Sequence, residues 1–554
     1  MSKDSLVKGT LILTLAALVA RALGVVQRIP LVYLLGEIGM ASYAIAFNLY
    51  SMLLVVATAG IPSALSKMIS ERTALGRTAE ADRIYKAALW FAAGAGVVMT
   101  VILYGAAPYY ADMILNPQAV LPIRAIAPAL LLFPLIAIMR GYFQGRQMMM
   151  PNGISQIIEQ IFRVVTSVGL ALLLLGVGLD FAVAGASFGG VIGSIAAFAV
   201  MLYYGMRLRK KDRSETEVRS QTTVGADAQL PYKTIYAQLF KLSVPIVIFS
   251  MTVTLIYTID SSIVTLLLKD SAGEDGAREI LGILGGRAQS LAGIPIILAV
   301  ALSQSVVPII SSAYSQKDLK GVADQAGKVL RLSILTGLPA VLVICLAARP
   351  INGFIFGNPT GSVWVEQYAA PIIIALTASA MFQIIMQTSG AVLMGLGRMR
   401  SLVLGVVAGI GAKLAFSYVL APWFGIYGII GATMLCFVVM TVLNLLVLRQ
   451  EIKFRVLGKR RWATLTMATA VVILLGIGLD LFARAYVHPL GSPRWDDMLQ
   501  AILIVGITSA AYPVLLLLTK TVTADDIQQM PGPIRRLARP ILNRLGGTKL
   551  KQEG

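Results

Sequence analysis

The chain has one histidine and two cysteines among its 554 residues, and that scarcity removes much of the chemistry of hydrolases and metalloproteins. Structural zinc sites draw their four ligands mainly from cysteine and histidine, so no metal site of the usual kind is expected. Cys345 and Cys436 fall inside apolar runs, where cysteine behaves as a small hydrophobe, and no disulfide is expected between them. The segment Gly185-Ala186-Ser187-Phe188-Gly189 does fit the nucleophile pattern of serine hydrolases. Gly193 continues the same small-residue spacing, however, which lets two helices approach closely, and His488 lies far along the chain in a turn. Helix packing is the reading taken, and no catalytic residue is assigned. Phosphate-cradling loops end in Lys-Ser or Lys-Thr; the nearest candidate, Gly321 to Lys328, has the wrong spacing and runs into Val329. Polar segments are short as well. None exceeds about 35 residues, well under a normal domain, which leaves no room for an ATPase or glycosyltransferase domain.

Charge is sparse too, at 13% of residues against 57% hydrophobic, and mean hydropathy is +0.79. A run of about 20 apolar residues crosses a bilayer. Fourteen such runs are predicted, beginning with 9–35 and 41–64, including 236–268 and 282–310, and ending with 498–519. The first is too long for the apolar region of a signal peptide and lacks a small-residue cleavage site, so it is read as the first span. With both termini placed in the cytoplasm, thirty-six of the 47 Lys and Arg residues fall on that side, five outside and six within spans. This asymmetry is the positive-inside pattern, and it supports an even number of spans. The net charge of +20 is then accounted for by loops lying against anionic headgroups, and no nucleic-acid partner is expected.

The six cations inside spans are Arg21, Arg28, Arg124, Arg163, Arg287 and Lys413. A charge at the bilayer centre costs about 2.5–3.5 kcal/mol on the lenient insertion scale. Six facing lipid would together outweigh the roughly 5–15 kcal/mol net stability of a typical protein. They are therefore expected to face the protein interior. Only Glu159 and Asp260 are acidic at comparable depth, which leaves that interior net positive. Glu159 and Arg163, four apart on one helix face, are expected to pair locally. Asp260 and Lys413 each lie mid-span, and two readings stay open for them: a mutually neutralising pair, or a proton- or ion-coupling site. Arg21 and Arg28 are seven apart and share a face, and neither they nor Arg287 have an acidic residue within four positions. These three are expected to line a cavity that receives an anionic group. Arg124, near an outer boundary, is a fourth candidate, or else snorkels to the interface.

The chain is also written twice. Ala81 to Lys86 recurs at Ala323 to Lys328, Ser66 after Pro62 at Ser312 after Pro308, and Ala184 to Ser187 at Ile430 to Thr433. Gly141 to Gly145 parallels Ala391 to Gly395, an offset of 250 that places Arg163 over Lys413. A repeat unit of six spans enters the membrane in the same orientation both times, so the copies are expected to be parallel, with the binding site between them. The expected organisation is an all-α integral membrane protein: an N-lobe over 1–205, a basic cytoplasmic linker over 206–234, a C-lobe over 235–448, two additional spans over 449–519 and a basic tail over 520–554.

Three stretches carry a family resemblance. They are KGTLILTLAALVARALGVVQRIPLVYLLGEIGMASYA at the start, AGIPSALSKMISE after the second span, and GRAQSLAGIPIILAVALSQSVVPIISSAY in the eighth. The chain resembles the polysaccharide-transporter branch of the multidrug/oligosaccharidyl-lipid/polysaccharide exporter superfamily, within it the MurJ-type lipid II flippases and the stage V sporulation protein B-like members. The resemblance implies a multi-pass protein of the bacterial plasma membrane with a MATE-like two-lobed bundle and a central cationic cavity. By alternating access it would carry an undecaprenyl-pyrophosphate-linked peptidoglycan precursor outward, with cell-wall synthesis proteins as further partners. No cofactor is implied; coupling would be to membrane potential, protons or sodium. Residue by residue, Arg21 falls on the family's first-span arginine and Arg287 on its eighth-span arginine. Arg28 lies one residue later than a second first-span arginine of Gram-negative members. Their second-span arginine has no counterpart between Leu49 and Ala59, and their acidic residue at the start of that span falls on Tyr43. Asp260 resembles a seventh-span aspartate linked to sodium in some members, while its eleventh-span asparagine partner is replaced by Lys413. The same pattern suits a flippase for another lipid-linked repeat unit. A multidrug antiporter calls for an acidic cavity, and a non-transporting scaffold leaves the intramembrane arginines without a role.

Overall fold

A computed structural model describes residues 6–58, 60–74, 77–219, 231–487, 491–519 and 521, and every regular element among them is helical. Packing divides the chain into two units, Met1–Gly286 with Ala421–Ile429, and Arg287–Leu420 with Ile430–Gly554. The first carries α1 (Leu6–Thr58), α2 (Ile61–Ala74), α3 (Thr78–Met113), α4 (Val120–Ile126), α5 (Ala129–Gly145), α6 (Met150–Leu174), α7 (Leu179–Arg219) and α8 (Tyr232–Gly282). A π-helical turn, Ile283–Ala288, leads into the second unit. There follow α9 (Gln289–Ser315), α10 (Leu319–Leu346), α11 (Ala348–Ile355), α12 (Val363–Gly395), α13 (Met399–Phe424), α14 (Ile426–Glu451), α15 (Lys459–Tyr486) and α16 (Pro493–Leu518).

Among the described residues twelve helical stretches are long and apolar enough to cross a membrane, where fourteen runs are predicted. The difference lies in two stretches. Leu18–Thr73 and Ile246–Ile297 are 56 and 52 residues long, more than twice the roughly 20 residues a crossing needs. Each is broken at a glycine: Gly36 has φ 61° and ψ −173°, and Gly273 has φ 72° and ψ 166°. That backbone conformation is open to glycine and strained for any residue with a Cβ. The break at Gly36 separates the predicted runs 9–35 and 41–64, and Gly273 lies between 236–268 and 282–310.

The division by packing also differs from the one read off the repeat. The boundary falls at Gly286–Arg287 rather than in 206–234, because α8 packs along α1 and so joins the first unit. The first part of the expected linker is helical: α7 continues to Arg219 and carries Arg207, Arg209 and Lys210 on its extension. Helix pairing is alike in the two units. Gly141 and Gly145 set α5 directly on Pro62 and Ser66 of α2, and Gly395 sets α12 on Val307 and Ile310 of α9.

In the second unit α15 and α16 pack on α10 through Ile334, Leu335, Leu342, Leu465, Val472 and Leu516. Lipid tails are as apolar as leucine, so such contacts hold by close fit and by polar links more than by desolvation. A polar link is present at one end. Arg349, at the start of α11, bonds Asp480 of α15 at 3.1 Å and Gln500 of α16, and approaches Asp497 at 3.4 Å. Arg484 completes the group on Asp480 at 2.6 Å. Three of the five cations assigned to outer turns belong to this region; a fourth, Arg278, bonds the Leu115 carbonyl at 2.9 Å in the first unit.

Candidate functional site

The charged positions of the spans divide into three kinds of environment. Arg28 of α1 is half-buried, donates to the carbonyl of Gly285 and lies 5.8 Å from the centre of the Phe47 ring. Phe47 stacks on Tyr43 at 6.0 Å, and the Tyr43 hydroxyl accepts from Gln27 at 3.2 Å. The two halves of α1 are thus linked on either side of the Gly36 break, with the guanidinium among aromatic rings. Arg21 stands two turns earlier on α1, and its side chain lies outside the described residues.

The Gly285 carbonyl belongs to the π-helical turn. Such a turn widens the helix by one residue and leaves the regular hydrogen-bond ladder, which makes carbonyls available to other donors. In the sequence, Gly285 and Gly286 suggest an open helix start that a phosphate could approach. The structure uses them for close packing: Gly282 abuts Glu37, Gly285 abuts Ala44, and Gly286 leaves 3.1 Å between its notional Cβ and Met40. The start of the eighth span therefore lies on the start of the second.

Arg287, one residue on, is fully buried. It donates to Asn352 Oδ1 at 3.1 Å and to the Gly357 carbonyl at 2.6 Å, and lies 5.7 Å from the Phe356 ring. In this conformation its guanidinium is buried against α11 and the turn that follows it. Gly357 has φ 58°, and its carbonyl is aimed at the guanidinium from the turn after α11. Asn352 and Gly357 are 65 and 70 residues away in sequence, and nothing local announces them.

A second environment is ionic. Glu159 of α6 accepts from Arg163 at 2.9 Å and from Arg140 of α5 at 3.0 Å, and Arg140 also donates to Ser155 at 2.9 Å. Arg140 is absent from the predicted set because it falls just past the span ending at 139; α5 carries it to the carboxylate. The third environment lies between α13 and α14. Lys413 of α13 exposes no surface and donates to Thr433 Oγ1 of α14 at 2.6 Å.

Asp260 is buried on α8 of the first unit, whereas Lys413 belongs to the second. Around Asp260, the Asn48 side chain of α1 donates to Ser261 at 2.7 Å, the Asn48 backbone carbonyl accepts from Thr258 at 3.1 Å, and Tyr110 pairs with Ser262 at 2.7 Å. Asn48 is a further polar residue missed in the sequence, since a neutral amide in an apolar run carries no charge to mark it. Arg124 stands apart from all of these. It is half-buried, lies 5.0 Å from the Tyr104 ring and reaches the Tyr104 carbonyl at 3.4 Å, and that tyrosine is half exposed.

Ser187 of the hydrolase-like pattern is buried inside the continuous helix α7, whereas the nucleophile pattern requires a strand-to-helix turn. Gly193 packs α7 onto the Glu159 carbonyl of α6, with 2.8 Å to its notional Cβ. His488 lies outside the described residues.

Residues 6–314 match the profile of the family described as "Polysaccharide biosynthesis protein". Lipid II flippase MurJ of Bacillus subtilis is 26% identical over 92% of this chain and 93% of its own length. Stage V sporulation protein B of the same organism is 25% identical over 96% and 98%. Among solved structures, lipid II flippase MurJ in an inward closed conformation superposes with TM-score 0.64 at 13% identity, covering 92% of this chain and all of that one. An inward-facing multidrug resistance MATE family transporter of the MOP superfamily also reaches TM-score 0.64 at 13% identity, over 78% and 94%. The fold is that of these multi-pass membrane proteins.

Proposed function

This chain belongs to the polysaccharide biosynthesis protein family, and from that membership we propose that it flips an undecaprenyl-pyrophosphate-linked peptidoglycan precursor, lipid II, from the inner to the outer leaflet. The observation that carries this reading is Arg28. It is a half-buried guanidinium within a span, set against a backbone carbonyl and an aromatic ring. Guanidinium forks match the oxygens of a pyrophosphate. Arg21, on the same face of α1, is assigned to the same headgroup. Arg287 is a further candidate for an anionic group once the contacts to Asn352 and Gly357 are given up; in this conformation it holds the π-helical turn to α11.

Movement proceeds by alternating access, with the lipid tail left in the bilayer and only the headgroup passing through the protein. The excess of Lys and Arg on one side supports a cytoplasmic location for both termini in a bacterial cell. An inside-negative potential favours outward transfer of an anion by about 2.3 kcal/mol per charge per 100 mV, which supports transport biased by the potential. Asp260 and Lys413 are assigned to coupling, as buried charges whose state changes with the ion or the field. Arg124, stacked on an exposed tyrosine, is assigned to the interface and not to the headgroup.

Depletion in the native bacterium tests the cargo. Lipid II should accumulate on the inner leaflet, and purified protein in liposomes should flip lipid II at a higher rate than a lipid-linked capsular or teichoic-type repeat unit. Accumulation of another lipid-linked glycan, with lipid II unchanged, would reassign the cargo.

A further inference from the structure

The first unit contains an apolar cavity of about 190 Å³ that the transport reading does not use. Phe91 and Met99 of α3, Pro134 and Ile138 of α5, and one stripe of α8 line it, with the α1–α2 junction at its end. Along α8 the lining positions are 240, 243, 244, 247 and 248, the spacing of a single helix face. Phe240 and Val244 on that stripe are exposed, so the cavity meets the surface there. A closed apolar cavity of about 150 Å³ in another protein stays dry and takes up a hydrocarbon such as benzene. This one is larger and lies among membrane spans.

One polar side chain is among the lining residues. Ser243 is 2% exposed, and its hydroxyl is buried without a hydrogen-bond partner among the described residues. Five hydroxyls further along the helix behave otherwise, while Thr265 beyond them also lacks a partner among the described residues. Thr252, Thr254, Thr258, Ser261 and Ser262 each turn back to a carbonyl of α8 at 2.7–3.3 Å. Ser243 is pressed instead against Gly60, at the end of the cavity. An unsatisfied buried hydroxyl is costly, and a ligand oxygen at this point would satisfy it.

We propose that this cavity holds one acyl chain of an anionic bilayer phospholipid, with the Ser243 hydroxyl donating to the ester carbonyl at the head of the chain. The order along α8 fits a lipid lying with its headgroup toward the start of the helix. Lys241, exposed, precedes Ser243 by two residues, about 3 Å along the axis, and offers a cation to the phosphate. Val247 and Ile248 lie deeper and face the hydrocarbon. A bulk phospholipid is favoured over the carrier lipid because it is in large excess in the membrane, and an apolar site with one hydroxyl fills according to abundance. The inference depends only on the membrane fold and not on the identity of the cargo.

Photoactivatable phosphatidylglycerol with a diazirine at mid-chain, reconstituted with the full-length protein, tests it. Labelled peptides should centre on Met99, Pro134 and Val247. Ala95→Phe, which fills the cavity from α3, should lower that labelling at least fivefold, and Ser243→Ala about threefold, with thermal unfolding of the latter unchanged. If Ala95→Phe does not accumulate, the wild-type map and Ser243→Ala decide. Labelling spread evenly over exposed helix faces and indifferent to Ser243→Ala would overturn the proposal. So would stronger labelling at these positions by an undecaprenyl phosphate probe in direct competition, which would assign the cavity to the carrier lipid.

Discussion

Arg163 and Lys413 stand 250 residues apart, the offset read between the two halves of the sequence, and each lies on a helix that packs against its successor. Their surroundings have parted. In the first unit Arg163 shares Glu159 with Arg140. In the second, the same offset puts Gly409 where the carboxylate would be and Gly390 where the second guanidinium would be. Gly409 lets α13 close onto Met440 and Cys436 of α14, and the cation, now a lysine, donates to Thr433. The first ionic cluster ties α5 to α6, whereas the second cation sits where α13 closes on α14 and reaches a hydroxyl of that helix.

The largest expected effect lies in the first copy. Glu159→Gln removes the countercharge of two buried guanidiniums, and breaking a buried pair from one side costs about 3–5 kcal/mol. Thermal unfolding in detergent should fall steeply, or the protein should fail to accumulate. Adding Arg163→Met to Glu159→Gln should recover part of the loss, since only one uncompensated cation then remains. If the single and double variants unfold alike, the cluster is not the tie described above.

Thr433→Val comes next. It deprives Lys413 of its hydroxyl acceptor at 2.6 Å, and an unsatisfied buried donor costs about 1–3 kcal/mol. Unfolding should shift less than in Glu159→Gln, and transport should fall as well. A shift equal to that of Glu159→Gln would show that the second copy is as structural as the first.

Lys413→Met is read through transport. Flipping should lose its dependence on potential or pH, which is measured by rates in liposomes across an imposed gradient. An unaltered dependence would remove Lys413 from coupling.

The sequence made part of this legible. Apolar runs and charge asymmetry are properties of composition, so the helical membrane class and the buried cations emerge from counting. The pair Glu159–Arg163 is local and follows from a spacing of four. Arg140 did not emerge, because a span boundary placed one residue early moved it into the loop count. Arg287 and its partners Asn352 and Gly357 are joined only by folding, and no periodicity links them. Gly285 and Gly286 announce a close approach, but the approaching group is Ala44 and Met40 rather than a ligand; a glycine tells of space and not of its occupant. The breaks at Gly36 and Gly273 were readable as gaps between runs, while the grouping of α8 with α1 was not, since covalent order and repeat symmetry both assign that helix to the second half.

The most direct test concerns Arg28. Purified wild type, Arg28→Lys and Arg28→Ala are reconstituted in liposomes, and the appearance of fluorescent lipid II in the opposite leaflet is followed at fixed membrane potential. A hydrogen bond to a charged group is worth about 1.5–3 kcal/mol, so Arg28→Ala should flip roughly tenfold more slowly or worse. Arg28→Lys should fall between, since an ammonium supplies charge without the planar fork, and all three proteins should unfold at similar temperatures. Wild-type flipping by Arg28→Ala would contradict the assignment of an intramembrane guanidinium to the pyrophosphate.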